Sequence, residues 1–212
     1  MQAVSKLGSF ASNWGLAHWK AAKYVLRYLQ GTKRHGLLYK SSGKTLADEW
    51  VLTMYVDSDY ATDTDTRRSR AGYLIYLNDN LISYRSCLQP GTVNIATNTC
   101  EAEYKALSMA LKELIWIKMV LDTCYIDVQT PIMIWEDNQA TIKLCHNPSA
   151  AKRTKHIDIK HHFIREFCEQ GLIDVRYIPT GSQTADILTK SLGPQLFKLF
   201  RDKIVSDRIL IK

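Results

Sequence analysis

A chain of 212 residues, 46% hydrophobic and 23% charged, has the balance of an ordinary globular protein, with room for one sizeable core or one domain with an appendage. No apolar run is long enough to span a bilayer, the opening "MQAVSKLGSFASNWG" lacks a signal-peptide core, and five scattered cysteines (Cys87, Cys100, Cys124, Cys145, Cys168) without a CxxC pair argue against a disulfide framework or a zinc ribbon. Reduced thiols in an intracellular, non-secreted chain are expected, and a formal charge of +7 favours a polyanionic partner.

In chain order, "LAHWKAAKYVLRYLQGT" sets Trp19, Ala22, Val25, Leu26 and Leu29 at helical spacing, with Gly31 as a stop. Lys20, Lys23, Arg27, Lys33 and Arg34 surround it with positive charge, as either a solvated face or a surface turned to nucleic acid. The polar stretch "YKSSGKTLADE" then marks a boundary. From residue 50 the texture changes. "WVLTMYVDSDYA" reads as a strand ending in acid, and "AGYLIYL" and "LISYRS" on either side of "NDN" read as a hairpin. A long helix follows over "CEAEYKALSMALKELIWIKMVLD", with Leu107, Ala110, Leu111, Leu114, Ile117 and Leu121 along one side. Asn98 with Glu101 resembles a capping box at its start. Ile132, Ile134 and Trp135 mark a short strand, which gives way at Asp137 and Asn138 to a helix running from Gln139 to about His146. After the basic loop "NPSAAKRTKH" come a helix around "HHFIREFCEQG", a strand "IDVRYIP" and a helix opened by "TGSQTADILTK". This is a mixed α/β order, neither a regular βαβ repeat nor an all-β pattern.

Four acids stand apart from surface logic. Asp57 ends the first strand on the face of Val51, Thr53 and Tyr55, and Glu103 lies one turn into the long helix, within the stripe of Leu107 and Ala110. Asp137 closes the next strand, and Asp186 lies in the first turns of "SQTADILTK". If the first strand and the "IMIWED" strand are parallel neighbours, Asp57 and Asp137 project from one edge, the usual site edge of such sheets. Each acid also has a plainer role, as a turn acid, a lysine partner, a helix cap (Asp137) or a first-turn dipole acid. Together they repel one another unless compensated. Magnesium or manganese, hard cations that prefer oxygen, is the natural compensation. On that account Asp57→Asn or Asp137→Asn leaves the metal-free chain equally or more stable, whereas loss of a cap at Asp137 costs roughly 0.5–2 kcal/mol.

"YVDSDYA", "CEAEYKAL", "WEDNQATIKL", "RTKHIDIKHHFIRE" and "VRYIPTGSQTADILTK" resemble, in order, the motifs of the ribonuclease H domain of copia-type LTR retrotransposon Pol polyproteins. The upstream "HWKAAKYVLRYLQGTKRHGLLY" resembles the tail of the adjoining reverse transcriptase. The resemblance implies a ribonuclease H-like α/β fold, a five-stranded mixed sheet flanked by helices, with an N-terminal helical extension. Residues 1–49 are then the transcriptase tail, 50–192 the ribonuclease H-like domain and 193–212 a C-terminal helical tail. It implies that Asp57, Glu103, Asp137 and Asp186 are the catalytic Asp-Glu-Asp-Asp set holding two magnesium ions (manganese substituting), with Asp59 second choice to Asp57. In such a centre one ion activates the attacking water and the other stabilises the leaving oxygen, about 4 Å apart, as the RNA strand of an RNA–DNA hybrid is hydrolysed.

The resemblance further implies nucleic-acid contacts at Asn138, Gln139, Lys152, Arg153, Lys155 and His156, which read a hybrid by backbone shape and 2′-hydroxyls. His161 or His162 is implied in proton transfer or product release. His156, Asp158, His161 and His162 also admit a zinc reading, set against packing and capping in the first turns of a helix. The implied partners are the hybrid and the rest of a reverse transcriptase, with no membrane, and the implied location is a cytoplasmic virus-like particle or the nucleus. Three motifs depart from the family: "DSDYAT" carries Tyr60 in place of tryptophan, "RRSRAGY" replaces "RKSTSGY", and "NTCEAEY" lacks the usual Ser-Thr before its acids. None removes an implied ligand. No Tyr-x-Asp-Asp polymerase motif appears, so the chain reads as a fragment of a polyprotein or a shortened reading frame that does not polymerise DNA. The alternatives are a catalytically idle or co-opted nucleic-acid-binding fragment, and integrase- or transposase-like chemistry, whose acids run Asp, Asp, Glu along the chain.

Overall fold

The computed structural model describes residues 1–63, 65–90, 96, 98–147 and 155–206, without the side chains of 155–161. Its centre is β1 (Leu52–Asp59), in which alternate residues meet different neighbours. Leu52, Met54 and Val56 are buried in the main core, while Tyr55 and Asp57 face the opposite side of the sheet. β2 (Arg70–Leu77) and β3 (Asn80–Leu88) form the expected hairpin. Asn78 and Asp79 at its tip both have positive φ, 46° and 63°, the turn conformation that matches the twist of paired strands. β4 (Ile132–Glu136) and β5 (Ile173–Tyr177) complete a sheet of order β3-β2-β1-β4-β5, with β1 antiparallel to β2 and parallel to β4. The β1–β4 register pairs Thr53 with Met133 and Tyr55 with Trp135. Carried two residues further, it sets Asp57 beside Asp137.

One face of the sheet is covered by α3 (Thr99–Thr123), α4 (Gln139–His146) and α5 (Lys155–Glu169). Leu107, Ala110, Leu111 and Leu114 of α3 pack with Met54, Val56, Ile132, Ile134 and Val175 of the strands, and Cys145 and Ile164 close the layer. Burying a side chain of this size stabilises by about 1.5–3 kcal/mol, so this layer is the main source of stability. On the opposite face Leu74, Leu81 and Leu188 form a smaller cluster beneath α6 (Asp186–Thr189), and α7 (Pro194–Ile204) follows. All five cysteines are free thiols. Among the described residues no helix is long and apolar enough to cross a membrane.

Two elements differ from the sequence reading. A first helix, α1 (Gln2–Gly8), precedes α2 (Leu16–Gly31), which ends at Gly31 as expected but contains no buried residue. Trp19 and Leu29 of its apolar stripe are 50% and 55% exposed; among the described residues α2 packs against α1 and, through Tyr28 on Phe197, meets α7. The "TGSQTADILTK" helix is interrupted. A 3-10 turn at Thr180–Ser182 gives way to extended backbone at Gln183 (φ −71°, ψ 93°), and only four residues are helical from Asp186. Gln183 leaves the helix because its buried side chain bonds the sheet instead.

α6 approaches the sheet closely at one glycine. A Cβ on Gly72, which pairs with Asp57 across β1 and β2, would lie 2.8 Å from both Leu188 Cβ and Thr189 Cγ2. Gly72→Ala is therefore expected to cost about 1–3 kcal/mol in urea unfolding by overpacking. Gly181→Ala, where a Cβ meets nothing within 4 Å, is the control and should change stability far less.

Candidate metal centre

At the carboxyl ends of β1 and β4, oxygens of Asp57, Glu103 and Asp137 lie within 4.8 Å of one another. Three different elements deliver them: the central strand, α3 one turn in from its start, and the residue after β4. Asp57, and not its neighbour Asp59, belongs to this group. Asp57 is wholly buried and Glu103 nearly so, while Asp137 is partly exposed and opens the group to solvent. Asp186, at the start of α6, is also buried and joins Asp57 through a shared lysine. Lys190 Nζ lies 2.9 Å from Asp57 Oδ1 and 2.9 Å from Asp186 Oδ1. The hydroxyl of Thr189 donates to the other oxygen of Asp57.

A fifth acid stands under the group. Glu136 is wholly buried, on the core face shared by Ile132 and Ile134. Its Oε1 accepts from the Asn138 backbone N–H at 3.0 Å, while its Oε2, like Glu103 Oε2, has no hydrogen-bond partner among the described residues. Burial pushes the Glu103 carboxyl well above the usual carboxylate range, and the charges of Glu136, Asp57 and Asp137 push it further. Burial does the same to Glu136, with Asp137 and Asp57 adding to it. Asp186 is raised to about 7, by burial and by Asp57, against the lowering pull of Lys190. Burial draws the Lys190 ammonium down, but Asp57 and Asp186 outweigh it and hold it above the ordinary lysine range.

Buried amides and hydroxyls fix the elements that carry these acids. Gln183 Nε2 donates to the carbonyls of Val56 (3.0 Å) and Trp135 (3.2 Å), clamping β1 to β4 one residue before Asp57 and two before Asp137. Gln89 Nε2 donates to Ala102 O (2.7 Å) and Ser58 Oγ (3.1 Å), tying the start of α3 to β1. Thr180 Oγ1 donates to Asp137 Oδ2 at 2.8 Å. Gln2 of α1 donates to the Thr189 carbonyl at 2.7 Å, so the N-terminal helix reaches the same corner. None of these residues stood out in the sequence. Glu136 alone had a signal, the alternation Ile132, Ile134, Glu136.

The cap of α4 is Asn138, whose Oδ1 accepts from the N–H groups of Ala140 (3.0 Å) and Thr141 (3.1 Å). Asp137 is left to the carboxylate group. At the start of α3, the Asn98 side chain accepts from the Glu101 N–H at 2.9 Å, one arm of the expected box. Of the implied nucleic-acid contacts, Asn138 is half-buried and Gln139 exposed at the rim beside Asp137. Lys152 and Arg153 lie outside the described residues; Lys155, His156, Asp158 and His161 belong to α5, but their side chains lie outside the described ones. His162 is exposed on α5, and among the described residues no hydrogen bond or ion pair joins it to the carboxylates.

A five-stranded mixed sheet of this order, flanked by helices and carrying acids from its central strand, the helix after the hairpin, the next strand and the last motif, is a ribonuclease H-like domain. No family model matches the chain. It is 40% identical over 202 residues to the retrovirus-related Pol polyprotein from transposon RE2 of Arabidopsis thaliana, a match spanning 95% of this chain and 13% of that protein. It is 36% identical over 202 residues to the corresponding polyprotein from transposon TNT 1-94 of Nicotiana tabacum, spanning 95% of this chain and 14% of that protein. Among solved structures, LC11-RNase H1, isolated from compost, aligns over 66% of this chain and 92% of its own, with 18% identity and a TM-score of 0.49. The relatives are retrovirus-related Pol polyproteins from copia-type transposons, and the fold of this chain is ribonuclease H-like. The chain spans about one seventh of the length of these curated relatives.

The raised acids set a pH dependence. For Glu103, Glu136 and Asp186 the folded chain holds protons that the unfolded chain has released. Their contribution to stability is full below the ordinary carboxylate range and is lost as pH rises, through about 7 for Asp186. Lys190 acts in a higher window, its contribution being lost only above the ordinary lysine range. The melting temperature of the metal-free chain is expected to fall from pH 5 to pH 8, and Glu136→Gln should shrink that fall. Melts in EDTA that stay flat or rise across this interval would contradict the assignment. Asp57→Asn is no longer expected to stabilise, because Lys190 and Thr189 already meet that charge.

Proposed function

We propose that the chain is a metal-dependent endonuclease that hydrolyses the RNA strand of RNA–DNA hybrids. The observation that carries this reading is the convergence of Asp57, Glu103 and Asp137 oxygens within 4.8 Å, at the open end of two parallel strands. The donor set fits hard divalent cations. It is all carboxylate, burial and then the neighbouring carboxylates raise the proton affinity of Glu103, and Glu103 Oε2 is buried without a partner among the described residues. Asp57, Glu103 and Asp137 would hold one ion, and Asp57 with Asp186 a second. When bound, such ions supply a water acidic enough to attack a phosphodiester at neutral pH and neutralise the oxygen that leaves.

The protein's own part is positional. Thr180 orients Asp137, Thr189 orients Asp57, and the Gln183 clamp holds the two strand ends at fixed separation. Exposed Gln139 and half-buried Asn138 stand beside Asp137, where a sugar-phosphate backbone lies against the carboxylates in this reading. Lys152, Arg153, Lys155 and His156 are assigned to backbone contacts, and residues 1–49 to the transcriptase tail. The rest of a reverse transcriptase is the proposed macromolecular partner.

The test is cleavage of a hybrid labelled on its RNA strand by the purified chain with magnesium or manganese. Cutting of hybrid and not of duplex DNA, abolished by EDTA and lowered about a hundredfold or more by Asp57→Asn, is the expected result. Hybrid binding by a folded chain without cutting under either metal would instead support the idle binding module.

A further inference from the structure

We propose that Lys190 is a tethered counter-cation that holds the Asp57–Asp186 half of the centre while metal is absent and yields it when a divalent ion enters. This inference rests on the reading of the carboxylates as a metal centre. The two halves of that centre are compensated differently. On one side Lys190 Nζ bridges two buried carboxylates at 2.9 Å each. On the other side Glu103 and Glu136 each keep a buried oxygen without a partner among the described residues. An ammonium and a divalent ion on the same two oxygens repel strongly in a buried setting, so one must leave before the other binds.

The backbone is built for that exchange. Lys190 is the C-cap of α6, in extended conformation (φ −109°, ψ 154°), one turn beyond Asp186. Its side chain is 31% exposed, whereas Asp57 and Asp186 are 0% and 2%, so the ammonium has a path to solvent and its partners have none. Lysine suits the task, being a compact charge on a flexible four-carbon stem. The consequence is an order of loading. The half formed by Asp57, Glu103 and Asp137 fills first, and the half guarded by Lys190 fills second and more weakly.

The experiment is a titration of the whole chain with Mn²⁺, followed by the EPR signal of free ion, for the unaltered protein, Lys190→Met and Lys190→Arg. The unaltered chain is expected to bind two ions with unequal affinity. Lys190→Met should tighten the weaker one by about tenfold or more and leave the tighter within about twofold. Lys190→Arg should keep the inequality. In EDTA, Lys190→Met should melt lower than the unaltered chain, and Mn²⁺ should raise its melting temperature by more. If Lys190→Met does not fold, Lys190→Gln carries the same expectation with a polar end retained. Weak-ion affinity unchanged in a folded Met or Gln variant overturns the inference while leaving the metal centre standing. Absence of Mn²⁺ binding in every variant overturns both.

Discussion

The parallel pairing of β1 with β4 is the constraint on which the rest of this corner depends. It brings Asp57 and Asp137 side by side at the end of a sheet whose core face is already sealed by α3, so the charges have little water to share. Like charges held this close in a dry setting must be protonated, paired with a cation, or pushed apart. The structure uses the first two. Glu103, Glu136 and Asp186 hold their protons above the usual range, and Lys190 bridges Asp57 to Asp186. The third outcome is blocked. Gln183 clamps β1 to β4, and Gln89 clamps α3 to β1, so repulsion cannot relax by splaying the elements.

The brevity of α6 follows from the same geometry. A continuous helix through "TGSQTADILTK" would carry Gln183 away from the strand carbonyls it satisfies, leaving Val56 O and Trp135 O without those partners at a buried strand end. Breaking the helix keeps those bonds and lets four residues lie flat against Gly72, the one point where the sheet offers no side chain. From there Thr189 and Lys190 reach Asp57 from one side, while Gln2 holds the Thr189 carbonyl from the other. A glycine, a glutamine and the N-terminal helix therefore bear on the acid group without contributing a carboxylate to it.

Much of this was legible in the chain itself, and the limits have physical causes. Period-2 alternation placed Asp57 opposite the core residues of its strand, and helical spacing placed Glu103 in a buried stripe; both readings depend only on local geometry. The Asn78–Asp79 turn announced the hairpin for the same reason. Choosing Asp57 over Asp59 by geometry needed the neighbouring strand, because both acids point the same way from β1. Lys190 could not be singled out, since a lysine four residues after an aspartate reads as a surface pair on a helix, and only burial of both acids changes its meaning. Asn138, not Asp137, caps α4 because the helix opens at Gln139, which sets the Asn138 side chain against the free N–H groups of Ala140 and Thr141. The exposure of α2 was hidden for a general reason. Periodicity shows that a helix has an apolar side but not what covers it.

The energetics of the acid group bear on the choice between a nuclease and an idle binding module. A module that only held nucleic acid through positive surface would gain nothing from carboxylates beside the phosphate path, which repel the ligand. It would gain less still from Glu103 and Glu136, whose buried oxygens lack partners among the described residues and weigh against the metal-free fold as the acids ionise. That cost is offset when a divalent cation arrives, because an ion bound only by the folded chain stabilises it by mass action. The order of the acids argues in the same direction against transposase-like chemistry. The glutamate comes second, from the helix between the hairpin and β4, and approaches Asp57 from the core side, while Asp186 comes last and approaches from the opposite face. Asp57 is thus the carboxylate that both halves of the group share, which supports the nuclease reading.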